Sequence, residues 1–159
     1  MRKITFILQL LLLICSMAIP VMCAHAQTFK VDDSASQVLG GPVAMKWESF
    51  VPRPGQDDAL MGTMTVLVRL DVSPWKGRTA RIYHIFPAHP SGPFIARWTT
   101  QGRLLPGTIR DGERALVYSG PIQTDVIEDT FRVLVQKRSG RLSRQEQLAF
   151  GFEIDVEMP

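Results

Sequence analysis

The chain has almost no cysteine. Cys15 and Cys23 are the only two, and both lie in an N-terminal segment, 1–26, that is predicted to be removed. The remaining 159 − 26 = 133 residues contain none, which excludes thiol catalysis, thiolate metal sites and disulfide exchange. An exported domain without disulfides must be stabilised by its core or by a partner. At this length one core suffices, because such a chain buries about two thirds of its surface, so we expect a single domain.

The segment 1–26 has the three parts of a secretory signal peptide. A basic start precedes an apolar run, and Ala24-His25-Ala26 forms an A-x-A cleavage site. The run, about 19 residues, is long enough to cross a bilayer, but Pro20 interrupts it and no basic stop-transfer cluster follows. The sequence therefore predicts cleavage after Ala26, export to the periplasm or cell surface, and no stable membrane span afterwards.

An excess of charge of one sign is also absent. Without Arg2 and Lys3, the 18 basic residues fall to 16, against 15 acidic ones. Basic residues are scattered along the sequence, and the densest stretch, KRSGR at 137–141, is typical of a hairpin turn because Ser139-Gly140 separates two strand-like runs. No nucleic-acid partner is predicted, despite the basic isoelectric point.

Side chains suited to catalysis are few. His84 and His89 lie near each other in the sequence, but no third metal ligand of matching geometry is evident. The acidic pairs Asp32-Asp33, Asp57-Asp58 and Glu128-Asp129 fall in loops or at strand borders, where we expect them to be solvated. No phosphate-binding loop or G-x-S-x-G motif is present. We therefore predict no enzyme, no catalytic residue, no bound metal and no cofactor.

Two alternative functional hypotheses also involve these residue types. A metal carrier would bring His84 and His89 together with a carboxylate or a methionine. A hydrolase would reveal itself as a deep pocket that holds a carboxylate with a perturbed pKa.

Strict two-residue alternation of apolar and polar residues is what the sequence does have. It recurs in short runs separated by Gly, Pro, Asp or Ser, which is typical of antiparallel strands. The clearest runs are 63–72, 79–86, 114–120, 129–136 and 148–158, and weaker ones are 43–50 and 93–100. Because each strand has one apolar face, two sheets must pack face to face. We predict an all-β, immunoglobulin-like antiparallel β-sandwich of about seven strands over residues 43–159, preceded by an N-terminal extension, 27–42.

Most aromatic residues fall at strand positions, where they are expected in the core. Trp75 is the exception, because SPWKG (73–77) has the composition of an exposed turn. Trp75 is therefore a candidate surface-binding residue.

The run 148–158, LAFGFEIDVEM, alternates almost to the end of the chain. In its pattern, an exported, disulfide-free sandwich that ends in such a strand resembles the subunits of chaperone–usher fimbriae. The resemblance implies a structural or adhesion subunit, an immunoglobulin-like sandwich that lacks its last strand. A periplasmic chaperone fills the resulting groove first, and the N-terminal extension of a neighbouring subunit then replaces it by strand addition. The strand bordering the groove would present Leu148, Phe150, Phe152, Ile154 and Val156.

The resemblance also implies a donor strand near the mature N-terminus. The first candidate is VLGGPVAMKW, in which alternate residues are Leu39, Gly41, Val43, Met45 and Trp47. Pro42 interrupts this run, although a proline is tolerated on an edge strand. QTFKV, with Phe29 and Val31, is a second candidate. The alternative is a self-contained periplasmic or surface module, such as an inhibitor or ligand carrier, whose sandwich is closed within one chain.

Overall fold

The computed structural model describes residues 26–41, 43, 45–47, 59–88, 93–138 and 149–157. These parts of the chain form strands, turns and a short 3-10 turn at Ser73–Trp75, with no α-helix. The ten strands are β1 (Ala26–Lys30), β2 (Gln37–Leu39), β3 (Lys46–Trp47), β4 (Ala59–Asp71), β5 (Thr79–Phe86), β6 (Phe94–Thr99), β7 (Gly107–Arg110), β8 (Glu113–Pro121), β9 (Val126–Arg138) and β10 (Gly151–Glu157).

The strands form two antiparallel sheets. Sheet A has the order β1-β10-β5-β8, and sheet B has the order β2-β4-β9-β6-β7, with β3 also paired to β4. β4 and β9, 13 residues each, pair along their whole length and form the centre of sheet B. Along the chain the strands change sheet six times, at β1–β2, β4–β5, β5–β6, β7–β8, β8–β9 and β9–β10. The predicted all-β sandwich is therefore confirmed.

The strand count exceeds the predicted seven because three short strands were not predicted. β1, β2 and β7 contain five, three and four residues, too few for an alternation to stand out. β1 and β2 come from the predicted N-terminal extension, so residues of that extension belong to both sheets. The predicted hairpin turn at 139–140 lies outside the described residues.

The core lies between the inner faces of the two sheets. Along β10, Phe152, Ile154 and Val156 are buried while Glu153 and Asp155 face outward, as the alternation predicts. Across from them, the fully buried Trp98 and Phe131 rings stack with centroids 5.9 Å apart. The packing is close enough to select glycine on β7. A Cβ atom on Gly107 would lie 2.7 Å from the Trp98 ring, which leaves no space for any other residue without a shift.

Asp129 is a buried carboxylate that fixes the connection between β6 and β7. Its two oxygens accept hydrogen bonds from the backbone N–H groups of Gln101 (3.0 Å), Gly102 (2.8 Å) and Leu104 (2.8 Å), and from its neighbour Thr130 (2.6 Å). The prediction that Glu128-Asp129 is a solvated pair is thus wrong for Asp129. It holds for the adjacent Glu128, which is exposed.

Replacing Asp129 by alanine is expected to destabilise the fold by about 3 kcal/mol, because one buried and three partly buried backbone N–H groups lose a charged acceptor. Glu128→Ala is the matched control. It removes an exposed ion pair to Arg69 (2.9 Å) and should cost less than about 1 kcal/mol. Urea unfolding of both variants measures the difference, and equal losses would contradict an anchoring role for Asp129.

Candidate interaction edge at the terminal strands

The site that the resemblance singles out is the position beside β10, and the chain's own β1 lies there. The two strands pair antiparallel from Ala26 opposite Glu157 to Lys30 opposite Glu153. The backbone N–H of Val31 extends this ladder by donating to the carbonyl of Phe152 (2.9 Å). We call β1 together with β10 the terminal edge. Within the described chain, this edge is closed by the chain itself.

The backbone of β1 has one bonded side and one open side. Because Val31 donates toward β10 and backbone groups alternate along a strand, those of Phe29 also point to β10. The N–H and C=O groups of Thr28 and Lys30 point away from the sheet, and no described strand pairs with them. Such an edge can accept a further strand. The short length of β1 and the charge of Lys30 weaken it as a template.

On the inner side of the sheet, side-chain contacts hold β1 in place. The Phe29 ring lies 5.8 Å from the ring of Trp75, which the 3-10 turn Ser73–Trp75 positions. Val31, the next inward residue, is completely buried. The expectation that Trp75 is an exposed turn residue is therefore corrected: it is half-buried and packs on the core.

On the outer side, a polar network ties β1 to β10 and β8. The Thr28 hydroxyl donates to Asp155 (2.6 Å), and the Arg114 guanidinium donates to the other oxygen of Asp155 (2.9 Å). Arg114 also lies 3.8 Å from the ring centre of Tyr83 and 3.8 Å from Glu153. Partial burial raises the pKa of Asp155, but the hydrogen bonds from Thr28 and Arg114 outweigh it, so the pKa lies below its usual value.

The first-choice donor residues lie elsewhere. Leu39 is in β2 opposite Thr65, and Trp47 is in β3 opposite Leu60, so both ends of the 39–47 segment pair with β4 in sheet B. Gly41, Val43 and Met45 lie between these two pairings, and Met45 packs on the core. The structure therefore does not bring this set to β10. The second candidate, QTFKV, is the one beside β10.

The groove-bordering residues lie largely where the pattern places them. Phe152, Ile154 and Val156 are buried, and Phe150 is half-buried against the core. Leu148 lies outside the described residues. The apolar face of β10 is thus covered from sheet B, and its free backbone edge is covered by β1.

His84, on β5 next to β10, is buried within a group of aromatic rings. Its ring centre lies 4.9 to 6.2 Å from those of Trp98, Phe131, Phe150 and Phe152. Its Nδ1 atom has no hydrogen-bond partner among the described residues, and burial lowers its pKa from 6.5 to about 4. His84 shares the inward face of β5 with Ile82 and Phe86, and its burial is nearly complete.

His84 does not belong to a cluster of metal-binding side chains within the described residues. His89 lies outside the described residues, and no cluster of three or more His, Cys, Asp or Glu side chains occurs in the part of the chain that is described. A neutral imidazole among aromatic rings acts here as a packing group.

An open cleft of about 460 Å³ lies beside β4 and β9 of sheet B. Its lining includes Arg69, Glu128 and Asp129. The two acids are engaged already, Glu128 with Arg69 and Asp129 with four backbone N–H groups. Neither of these two carboxylates therefore supports the hydrolase hypothesis. No helix within the described ranges is long and apolar enough to span a membrane.

The burial of His84 makes stability depend on pH. The folded state keeps it neutral down to about pH 4, while the unfolded chain takes up a proton near pH 6.5. Stability is therefore complete above the unfolded pKa and falls as the pH drops through it. From about pH 7.5 to about pH 5 the loss should be about 2 kcal/mol. The lowered carboxyl pKa values act only in more acidic solution.

His84→Phe keeps an aromatic ring at this site and removes the proton, so its stability should lack this decrease. Urea unfolding at both pH values checks it. Parallel pH slopes in the two proteins would contradict a buried neutral histidine.

Comparison with known proteins gives no match to any family model, any curated protein or any solved structure. The resemblance to chaperone–usher subunits therefore stays a prediction, and a functional proposal depends on the geometry described above.

Proposed function

We propose that the protein is an exported, non-enzymatic binding module whose sandwich is closed within one chain. The observation that carries the proposal is the pairing of β1 with β10. A sandwich with its last strand position filled has no need of a partner to cover that strand. Its function then lies in what its surfaces contact.

The path from β1 to β2 supports closure within one chain. Asp71 donates its backbone N–H to the carbonyl of Asp32 (2.9 Å), which joins this passage to the end of β4. The hydroxyl of Ser36 accepts from the backbone N–H of Arg69 (2.9 Å) and donates to its carbonyl (3.2 Å). Val31, which follows β1 and precedes Asp32 in the sequence, is completely buried. A connection held this closely favours a β1 that stays with its own body.

A second candidate is a fimbrial subunit that assembles by strand addition, with neighbouring subunits and a periplasmic chaperone as partners. One observation favours it: a segment near the N-terminus lies antiparallel to the C-terminal strand, the place where the resemblance puts a neighbour's extension. In that case the donor is 27–31, with Phe29 and Val31 as the inward residues, and 39–47 is part of the subunit's own sheet B.

An engineered disulfide separates the two candidates. Thr28 and Asp155 are directly opposite each other in a non-hydrogen-bonded pair, where the Cα atoms are about 4.5 Å apart, within the range that a disulfide bridges. Because the mature chain is predicted to lack cysteine, Thr28→Cys with Asp155→Cys introduces the only pair. Non-reducing electrophoresis after export and oxidation shows whether one chain or several are joined.

The closed module predicts a cross-linked monomer. Covalent ladders that disappear on reduction would overturn it and support strand exchange between subunits. The matched control combines Thr28→Cys with Arg81→Cys, which lies on β5, one strand beyond β10, and should form neither product. A cross-linked band in this control would show that the reaction does not report strand pairing.

A further inference from the structure

The outer face of sheet B gathers arginines that are far apart in the sequence. Arg132 is on β9, Arg97 is on β6 and Arg110 is on β7, and all three are exposed. We call these three residues the arginine row. Pairing of β9, β6 and β7 brings these three residues onto one face of the sheet.

The pairing fixes the geometry of the row. Arg97 is opposite Leu134 on β9 and Thr108 on β7. Arg132 and Arg110 are each displaced by two residues from those partners, so each is a diagonal neighbour of Arg97. Diagonal neighbours on one face lie about 7–8 Å apart. The three guanidinium groups thus run obliquely across three adjacent strands.

Threonines flank two of the three arginines. Thr65 and Thr99 flank Arg132 on the strands to either side, and Thr108 flanks Arg97. Each hydroxyl both donates and accepts hydrogen bonds. The other directly opposed neighbours are aliphatic, Leu134 for Arg97 and Ile95 for Arg110, so the surface around the charges is uncharged and partly apolar.

No ion pair joins the arginine row to any residue that the structure describes. Glu128, the nearest outward acid on β9, is paired with Arg69 (2.9 Å). Glu113 lies close to Arg110, but its carboxylate accepts from the backbone N–H (3.1 Å). The outer face of sheet A differs, because Arg114 there is neutralised by Asp155 and Glu153.

We propose that the arginine row binds an anionic polysaccharide through its sulfate or phosphate groups. Guanidinium groups bind such anions with paired hydrogen bonds, and the threonine hydroxyls suit the hydroxyl groups of a sugar chain. No outer-face position of β4, β6, β7 or β9 is aromatic, so the face lacks the platforms on which single-stranded nucleic acids stack their bases. The predicted export also places the protein among surface glycans. This inference goes beyond the proposed function and holds for either candidate, because β1 is in the other sheet.

The test compares binding of the exported protein to dextran sulfate, neutral dextran, a single-stranded DNA oligomer, and phosphatidylglycerol vesicles. The unaltered protein should bind dextran sulfate best and neutral dextran not at all. Replacing Arg97, Arg110 and Arg132 together by glutamine should weaken binding to dextran sulfate by about tenfold or more. The salt dependence should become shallower by about three released counterions.

The matched control replaces Lys30, Arg78 and Arg81 by glutamine, three exposed cations on the side of sheet A. It has the same net charge and should lose less than about threefold. Thermal melting of both variants verifies folding, and single arginine variants serve if the triple variant melts early. Equal losses in the two triple variants would overturn the inference, as would tighter binding to DNA or to vesicles. None of these results alters the disulfide outcome, so the two proposals fail separately.

Discussion

The main-chain pairing of β1 with β10 is the interaction on which the rest of the structure depends. β10 is apolar on one face, and its backbone has two edges, of which β5 satisfies one. Leaving the other edge unpaired would expose a row of N–H and C=O groups beside a buried face, a template for aggregation. β1 covers this edge with five residues and leaves only its own short outer edge, which carries Lys30. The contacts of Phe29 with Trp75 and of Thr28 with Asp155 then fix its register, because a one-residue slip would exchange the two faces.

The core beneath β10 fixes the strand from the other side. His84 is packed among four aromatic rings drawn from both sheets, and its unpartnered Nδ1 is tolerated because the ring stays neutral. A protonated imidazole there would be an unpaired buried charge, which is far more costly than a buried neutral polar atom. The aromatic packing that covers β10 therefore loses stability as the pH falls and His84 takes up a proton.

The sequence predicted what depends on local periodicity. The sandwich, most of the long strands and the inward residues of β10 follow from alternation, since a period of two assigns faces without knowledge of the partner. What it missed depends on contacts between distant segments. Asp129 is anchored to the loop that includes Gln101 and Gly102, and Trp75 is covered by Phe29. Neither contact has a local pattern. Which N-terminal segment lies beside β10 has no local pattern either: 39–47 and 27–31 alternate alike, and only the pairing distinguishes them.

The two outer faces assign different physical roles to the two sheets. On sheet A, opposite charges lie beside one another, and the ion pairs of Arg114 join β8 to β10. On sheet B, the arginine row has threonines and aliphatic residues as its cross-strand neighbours, and no described acid forms an ion pair with it. Exposed like charges at diagonal spacing repel slightly and add nothing to folding. The arginine row therefore contributes to the binding of an anionic ligand and not to the stability of the fold. Closure of the sandwich depends on the β1–β10 pairing in sheet A, and anion binding depends on the arginine row in sheet B. A substitution can therefore change one of them without changing the other.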